Sequence, residues 1–399
     1  MDQPTAAINA SDYFDPASPT SGLERAVAAL PPEGGQVQLQ AGTYWLRRSL
    51  YIPSRVRLVG QGPASILAIH PLSTIALARD HRRGSRTVHC AGKVPFAVGD
   101  EIGLNDDKMH GWWGTHALIE AIDGPRMRLS RPLEKPLKKD RNARAVSLFP
   151  ALHAFDENEI HIRDLAIAGP PDFQGEWWDF TYAAIHLNQC HRSQVSGCHI
   201  NNWPSDGIGV QRGGDIQVTH CQAHACRGHG FHPGTGLQRS VWSHNIGRRN
   251  GGDGLYFCAR VHHSICSDSV FDSNGLNGIG GVANGGDRFN IIDSNICTLN
   301  ARCGIDANRG EEQVITGNIV LNNSQQERGR WPAIKLHDLQ RALVQGNRCT
   351  DDQEHSTQRR GIIESGASDY NLVSGNLCVG TEEPIVLQGR HSRAEGNLV

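Results

Sequence analysis

The chain holds 399 residues, with 39 Lys and Arg set against 41 Asp and Glu and a formal net charge of −2, so charge alone marks neither a nucleic-acid partner nor a membrane surface. Gly is abundant at 45 and Met scarce at 3; no stretch approaches the roughly 20 apolar residues of a membrane span, and beyond about the first thirty residues no long segment carries helical periodicity. Dinucleotide and phosphate-loop folds, which need a long helix behind a glycine-rich turn, are excluded on the same ground. One elongated repeat domain absorbs the length without splitting.

The opening MDQPTAAINASDYF has neither the basic start nor the apolar run of a secretory signal. It reads as the start of a cytoplasmic protein, or of a secreted one if a leader has been removed. Ser21 is placed to cap a short helix over 22–30 that Pro31 and Pro32 stop. GGQVQLQAGTYWLRRSLYIPSRVRLVGQG then alternates apolar and polar residues in short runs punctuated by Gly and Pro, the pattern of strands. Residues 1–72 are expected to form an N-terminal cap and the first coils of a solenoid, because an open coil end would expose core and unpaired strand edges. Over 73–150 the pattern breaks. This stretch reads as a small β insertion with charged turns, and its basic run RPLEKPLKKDRNAR is either a solvated loop or an arm that closes over an anionic chain. Trp112, Trp113, Trp177 and Trp178 are placed to be platforms for sugar rings or loop anchors packed on the solenoid.

Over 151–399 a repeat takes over, and this part is expected to be one continuous solenoid. The units AAIHL, DGIGV, HGFHP, DGLYF, NGIGG, CGIDA, PAIKL, RGIIE and EPIVL recur about every 23 to 30 residues, the signature of stacked coils. A second element follows each one, and its central column is Cys198, Cys221, Asn245, Ser269, Asn295, Asn318, Asn347, Asn376 and Asn397. Side-chain amides stacked rung on rung can satisfy backbone groups that a solenoid would otherwise bury unpaired, so this column reads as an internal ladder. The eleven Cys fall largely at equivalent repeat positions and not in CxxC pairs, which argues against a zinc site and a full disulfide framework. Most read as small buried hydrophobes.

The helix followed by V-x-L-x-A-G-T-Y and L-x-I-x-S-x-V-x-L-x-G-x-G resembles the opening of the pectate-lyase-like superfamily. That resemblance implies an all-β fold, a right-handed parallel β-helix with an N-terminal capping helix. If Ile185, Ile208, Phe231, Leu255, Ile279, Ile305 and Ile334 point into the core, the residue after each points out. The outward column is then His186, Gly209, His232, Tyr256, Gly280, Asp306 and Lys335. The glycines would leave a groove for a substrate backbone. Asn188, Gln211, Gly234, Cys258, Val282, Asn308 and His337 follow in the next outward column, with Arg212, Arg260 and Arg309 just beyond and His229 one turn earlier.

That mixture suits proton transfer on an anionic sugar: a base removes the proton beside a uronate carboxylate, a cation neutralises the developing charge, and an acid completes elimination or epimerisation. His232 is the expected base and Tyr256 the acid, with Arg260, Lys335 and Arg309 as carboxylate or subsite contacts. Asp306 orients Lys335 or a sugar hydroxyl. His186, Asn188, Gln211, Arg212, His229, Asn308, Arg309 and His337 are the expected binding residues, and an oligo- or polysaccharide is the expected partner, with the oligomeric state, monomer or trimer, left open. The run FHPGTGLQRSVWSHNIGRRNGGDGLYFCARV resembles the segment of mannuronan C5-epimerases built around F-D-P-H-D, with Phe231, Pro233 and the carboxylate-neutralising Arg at Arg260 in register. The motif's Asp is His232 here and its His is Gly234. An alternative is a glycoside hydrolase using Asp206, Asp253 and Asp306, although Asp before Gly is also favoured in tight turns. A further alternative is a non-catalytic glycan-binding or spike-like solenoid. No cofactor is required, and no calcium loop or HExxH supports a Ca2+ or other metal site.

Overall fold

The computed structural model describes residues 6–109, 114–171, 180–282 and 284–399. The tryptophans at 112, 113, 177 and 178 lie outside these residues. Among the described residues, short strands stack into three long sheets of 13, 11 and 10 strands, and their pairings are parallel from coil to coil. The chain is a right-handed parallel β-helix.

Most coils give one strand to each sheet, and within each strand period-two alternation turns every second side chain inward. Ile185, Ile208, Phe231, Leu255, Ile279, Ile305 and Ile334 are all fully buried in one continuous core. All eleven cysteines are free and buried. The Asn column runs as an unbroken chain of hydrogen bonds: Asn295 N–H donates to Asn318 Oδ1 at 2.9 Å, Asn318 N–H to Asn347 Oδ1 at 3.0 Å, and Asn347 N–H to Asn376 Oδ1 at 2.8 Å. A second ladder, not evident from the sequence alignment, runs through Asn250, Asn274, Asn300, Asn323 and Gln358. Buried turn amides are thereby paired at two corners of the coil.

The helix is Leu23–Ala28, shorter than expected, and Ser21 does not cap it. The Ser21 hydroxyl donates to the Trp45 carbonyl at 2.8 Å, which leaves Gly22 as N-cap without a side-chain bond. Leu23 and Ala26 still seal the first coils.

Strands between Thr74–Ala76 and Arg144–Val146 form a separate six-stranded antiparallel sheet. It has its own core of Leu77, Val88, Ile102, Leu104, Ile119 and Met127. It docks on the first coils through Glu101, which accepts the Ser49 N–H at 2.8 Å, and through an Arg47–Asp100 ion pair at 2.9 Å. Tyr182 wedges between the two units, and glycine is required at Gly103 because a Cβ there would lie 2.4 Å from the Tyr182 hydroxyl.

Candidate active site

The 11-stranded sheet carries the outward column. Its register pairs His153 with His186, His186 with Gly209 and Gly209 with His232. Farther along, Tyr256 lies beside Gly280 and Asp306 beside Lys335.

The bare rungs are not an open groove, contrary to the expectation from the glycines. At Gly209 a Cβ would meet the Ala183 methyl at 3.2 Å, because the turn Phe180–Tyr182 and the residue after it fold back over that rung. At Gly280 a Cβ would lie 2.5 Å from Asp253 Oδ2, so this glycine admits the Asp253 carboxylate to the outward face. Gly281 has φ +67 and begins an irregular register against the next coil; a Cβ there would lie 2.6 Å from the Tyr256 ring. Such a bulge leaves Tyr256 the space it occupies.

At the centre, His232 is 5% exposed and its Nδ1 lies 2.7 Å from Asp206 Oδ2. Asp206 is fully buried, and its other oxygen accepts the His229 N–H at 2.7 Å. Burial opposes charge on Asp206, yet its bond to His232 and the nearby His229 hold its carboxyl below the usual range. Burial likewise opposes charge on the His232 ring, but Asp206 and the neighbouring Cys258 outweigh it and push the imidazole up to about 9. The thiol of Cys258 is raised by burial and drawn down more strongly by His232, to about 7. The ring's Nε2 is buried without an aligned hydrogen-bond partner among the described residues.

Asp206, His229, Asp253 and Asn277 form a third polar ladder beneath the column. Asp253 N–H donates to His229 Nδ1 at 2.9 Å, and Asn277 donates to Asp253 Oδ1 through its backbone at 2.7 Å and its amide at 2.8 Å. His229 stacks on Tyr256 with centroids 4.4 Å apart. The Tyr256 hydroxyl accepts from the Asn284 amide at 2.8 Å, and burial raises its pKa. Asp306 pairs with Lys335 at 3.2 Å; burial raises its pKa despite Lys335, and Asp253 adds to the rise.

Toward the insertion the same face opens into a cleft of about 620 Å³ lined by His116, His153, His186, Tyr51, Arg131 and Asn188, among others. Burial, with neighbouring cations adding to it, lowers His116 to about 3 and His153 to about 4, and His186 falls well below its ordinary range. These rings are therefore neutral hydrogen-bonding groups at neutral pH. His186 Nε2, Gln211 Nε2 and Asn308 Oδ1 are buried without a hydrogen-bond partner among the described residues.

Among the expected site residues, the fold gathers His186, Asn188, Gln211, His229, His232, Asp253, Tyr256, Asp306 and Lys335 along one face. Of the expected arginines, Arg212 reaches the edge of this cluster, while Arg260 and Arg309 stand apart from it. Arg260 is exposed in a turn with φ +62. Arg309 is exposed, 3.9 Å from Asp338, and Arg212 donates to Asn188 Oδ1 at 3.1 Å. His337 Nδ1 lies 2.9 Å from the Ser365 hydroxyl. Gly234 is bare because the Gln211 amide fills its space, with a Cβ there 2.1 Å from that side chain. The sequence offered Asp206 only as a candidate hydrolase carboxylate and Cys258 only as a member of the second outward column, without pairing either with His232, and it did not single out His116 or His153. Asp206 sits one coil before His232 in the Asp-Gly column, where turn preference hides it. Among the described residues, no group of three or more His, Cys, Asp or Glu side chains is arranged to hold a metal ion. No described helix is long and apolar enough to cross a membrane.

Fold and site together define a right-handed parallel β-helix with a polar, partly enclosed outward face. The family model for the right handed beta helix region matches residues 159–281, the coils that carry His186, His232 and Tyr256. A comparison with curated proteins finds no match. Among solved structures, the chain is similar to the A-module of mannuronan C-5 epimerase AlgE4 from Azotobacter vinelandii, at 14% identity over 98% of this chain and 100% of that one, with a TM-score of 0.53. It is similar to DFA-IIIase from Arthrobacter chlorophenolicus A6 without its lid, at 13% identity over 97% and 98% of the two chains, TM-score 0.56. It is also similar to a hyperthermoactive exopolygalacturonase from Thermotoga maritima, at 11% identity over 100% and 93%, TM-score 0.51. At such identities the likeness is one of fold, and function has to be argued from the site.

Proposed function

We propose that this β-helix is a carbohydrate-active enzyme that works by proton transfer on a uronic-acid-containing glycan, as a polysaccharide lyase or C5-epimerase. The observation that carries the reading is the buried Asp206–His232 pair, 2.7 Å apart, with the ring's Nε2 lacking an aligned hydrogen bond among the described residues and lying beside Tyr256. Unpaired buried polar atoms cost about 1–3 kcal/mol each. A face that holds several of them in a row is built to be completed by a ligand rich in hydroxyl and carboxylate groups.

His232 was expected to be the base. Its pKa near 9 keeps the ring protonated at neutral pH, so on this proposal it is the proton donor and the local positive charge for the uronate carboxylate. Tyr256, kept neutral, donates a hydrogen bond to the reacting sugar. The proton acceptor comes from the groups that ring the same face. Lys335, balanced by Asp306, extends the positive side of the face along the column.

A second reading, glycoside hydrolysis, is favoured by the Asp253 and Asp306 carboxyls on either side of Gly280, with Asp306 held toward its protonated form as an acid would be. A panel of uronic-acid and neutral glycans in deuterated water separates the two. Unsaturated products, or deuterium uptake without chain cleavage, are the expected outcomes. Saturated reducing ends, with activity lost in Asp306→Asn and kept in His232→Ala, would establish hydrolysis instead. Silence across the panel would leave a glycan-binding solenoid.

A further inference from the structure

Eleven cysteines are buried in this chain, and one of them is placed differently from the rest. Cys198 and Cys221 sit at ladder positions and direct their thiols to backbone carbonyls at 3.4 and 3.3 Å. Burial pushes Cys190 up to about 11 and Cys226 up to about 12, as for inert core thiols. Cys258 lies two residues beyond Tyr256 on the outward side, with its backbone N–H held by the Pro233 carbonyl at 2.9 Å. Its sulfur is 3.0 Å from the Thr235 hydroxyl, which can donate to a thiolate. His232 and the Ala259 backbone N–H are further polar neighbours of the sulfur.

Asp206, His232 and Cys258 therefore stand on three successive coils as carboxylate, imidazole and thiol. Asp206 holds Nδ1 of the ring, and Nε2 makes no other aligned bond among the described residues. We infer that Cys258, paired with His232 and oriented by Thr235, is the proton acceptor of the reaction, with Asp206 as the positioning residue behind the ring. The inference rests on the proton-transfer reading above.

Atoms and electrons balance with the site's own groups in elimination and with solvent water as proton source in epimerisation. The Cys258 thiolate takes the hydrogen on the carbon beside the uronate carboxylate, the C–H bond breaks, an S–H bond forms, and the electron pair passes into an enediolate. In elimination that pair becomes the new carbon–carbon double bond as the glycosidic C–O bond breaks, and the leaving oxygen takes the Nε2 proton of His232. In epimerisation the pair instead takes a proton from solvent water on the opposite face of the same carbon, and the proton gained by Cys258 passes through His232 to the hydroxide left behind. A thiol drawn down to about 7 is matched to proton transfer near neutral pH, whereas Tyr256, raised above its ordinary value, is not.

Two measurements on the intact protein test this. Wild type and Cys258→Ser are compared for deuterium uptake or unsaturated product on polyuronates, with Cys90→Ser in the insertion as control. The thiol at 258 is then alkylated with iodoacetamide at pH 7 and followed by peptide mass, in wild type, His232→Gln and Asp206→Asn. The expected results are a loss of activity of at least about 100-fold in Cys258→Ser alone, and alkylation slowed about tenfold or more when the ring is replaced. Asp206→Asn retains native circular dichroism as the check against unfolding. An active wild type whose Cys258→Ser variant stays within about threefold of it overturns the inference, as does alkylation indifferent to both ring and carboxylate. A wild type inert on every polyuronate overturns the uronate reading instead, and with it the acceptor role.

Discussion

At the scale of single residues, the site turns on how Asp206 sets the charge of His232. An Asp206→Asn change keeps shape and removes the negative charge that opposes burial of the imidazolium. The raised pKa of His232 should fall, so the alkaline limb of the pH profile of kcat/KM moves to lower pH. The rate at neutral pH should drop by about 100-fold, the usual worth of a positioned proton donor. A limb that stays in place would remove Asp206 from this role. His232 and Tyr256 were legible in the sequence because each follows a core residue in a repeated unit. Asp206 was legible only as a candidate hydrolase carboxylate and Cys258 only as a member of the second outward column, because an Asp-Gly turn and a small buried thiol both have sufficient structural reasons to exist and neither shows its pairing with His232.

At the scale of the strand and its turns, two features hold the outward face in shape. Gly281 sits at φ +67, and a Cβ there would lie 2.1 Å from the Phe257 carbonyl and 2.6 Å from the Tyr256 ring. Gly281→Ala should destabilise the coil by about 1–3 kcal/mol and displace Tyr256, which a urea midpoint and tyrosine fluorescence would register together. In the ladder, Asn318 accepts the Asn295 N–H at 2.9 Å and donates to the Ile292 carbonyl and Asn347 Oδ1, each at 2.9 Å. Asn318→Ala strands these buried groups and should cost about 3 kcal/mol. Asn318→Ser should cost less, since Ser269 already fills a rung by accepting the Asn245 N–H at 3.0 Å. Equal losses from Ala and Ser in chemical denaturation would show that the hydroxyl cannot substitute. The Asn ladder could be read from sequence because Asn recurs at one place in six of the nine aligned coils, with Ser or Cys at the others.

At the scale of the whole molecule, the insertion sheet and the first coils enclose three histidines that fold in the neutral state. His116 and His153, lowered to about 3 and 4 with Arg131 and Glu101 beside them, and His186 with them, bind protons more readily when unfolded. Stability is then complete above the ordinary imidazole range near 6.5 and declines as pH falls toward 4. The thermal midpoint should drop between pH 7 and pH 4.5, and less so in His153→Gln; an equal drop in both would place the acid sensitivity elsewhere. The sequence by itself determined the solenoid, its inward and outward columns and its ladder, because these follow from period-two alternation and a repeat that each coil restates. Only the tertiary structure decided what fills the bare rungs, which carboxylate holds His232, and that His116 from the insertion shares a cleft with His186 from the coils. Such contacts occur once, between residues far apart in the chain, and arise from how particular turns and an inserted sheet dock on the solenoid, so no local period announces them.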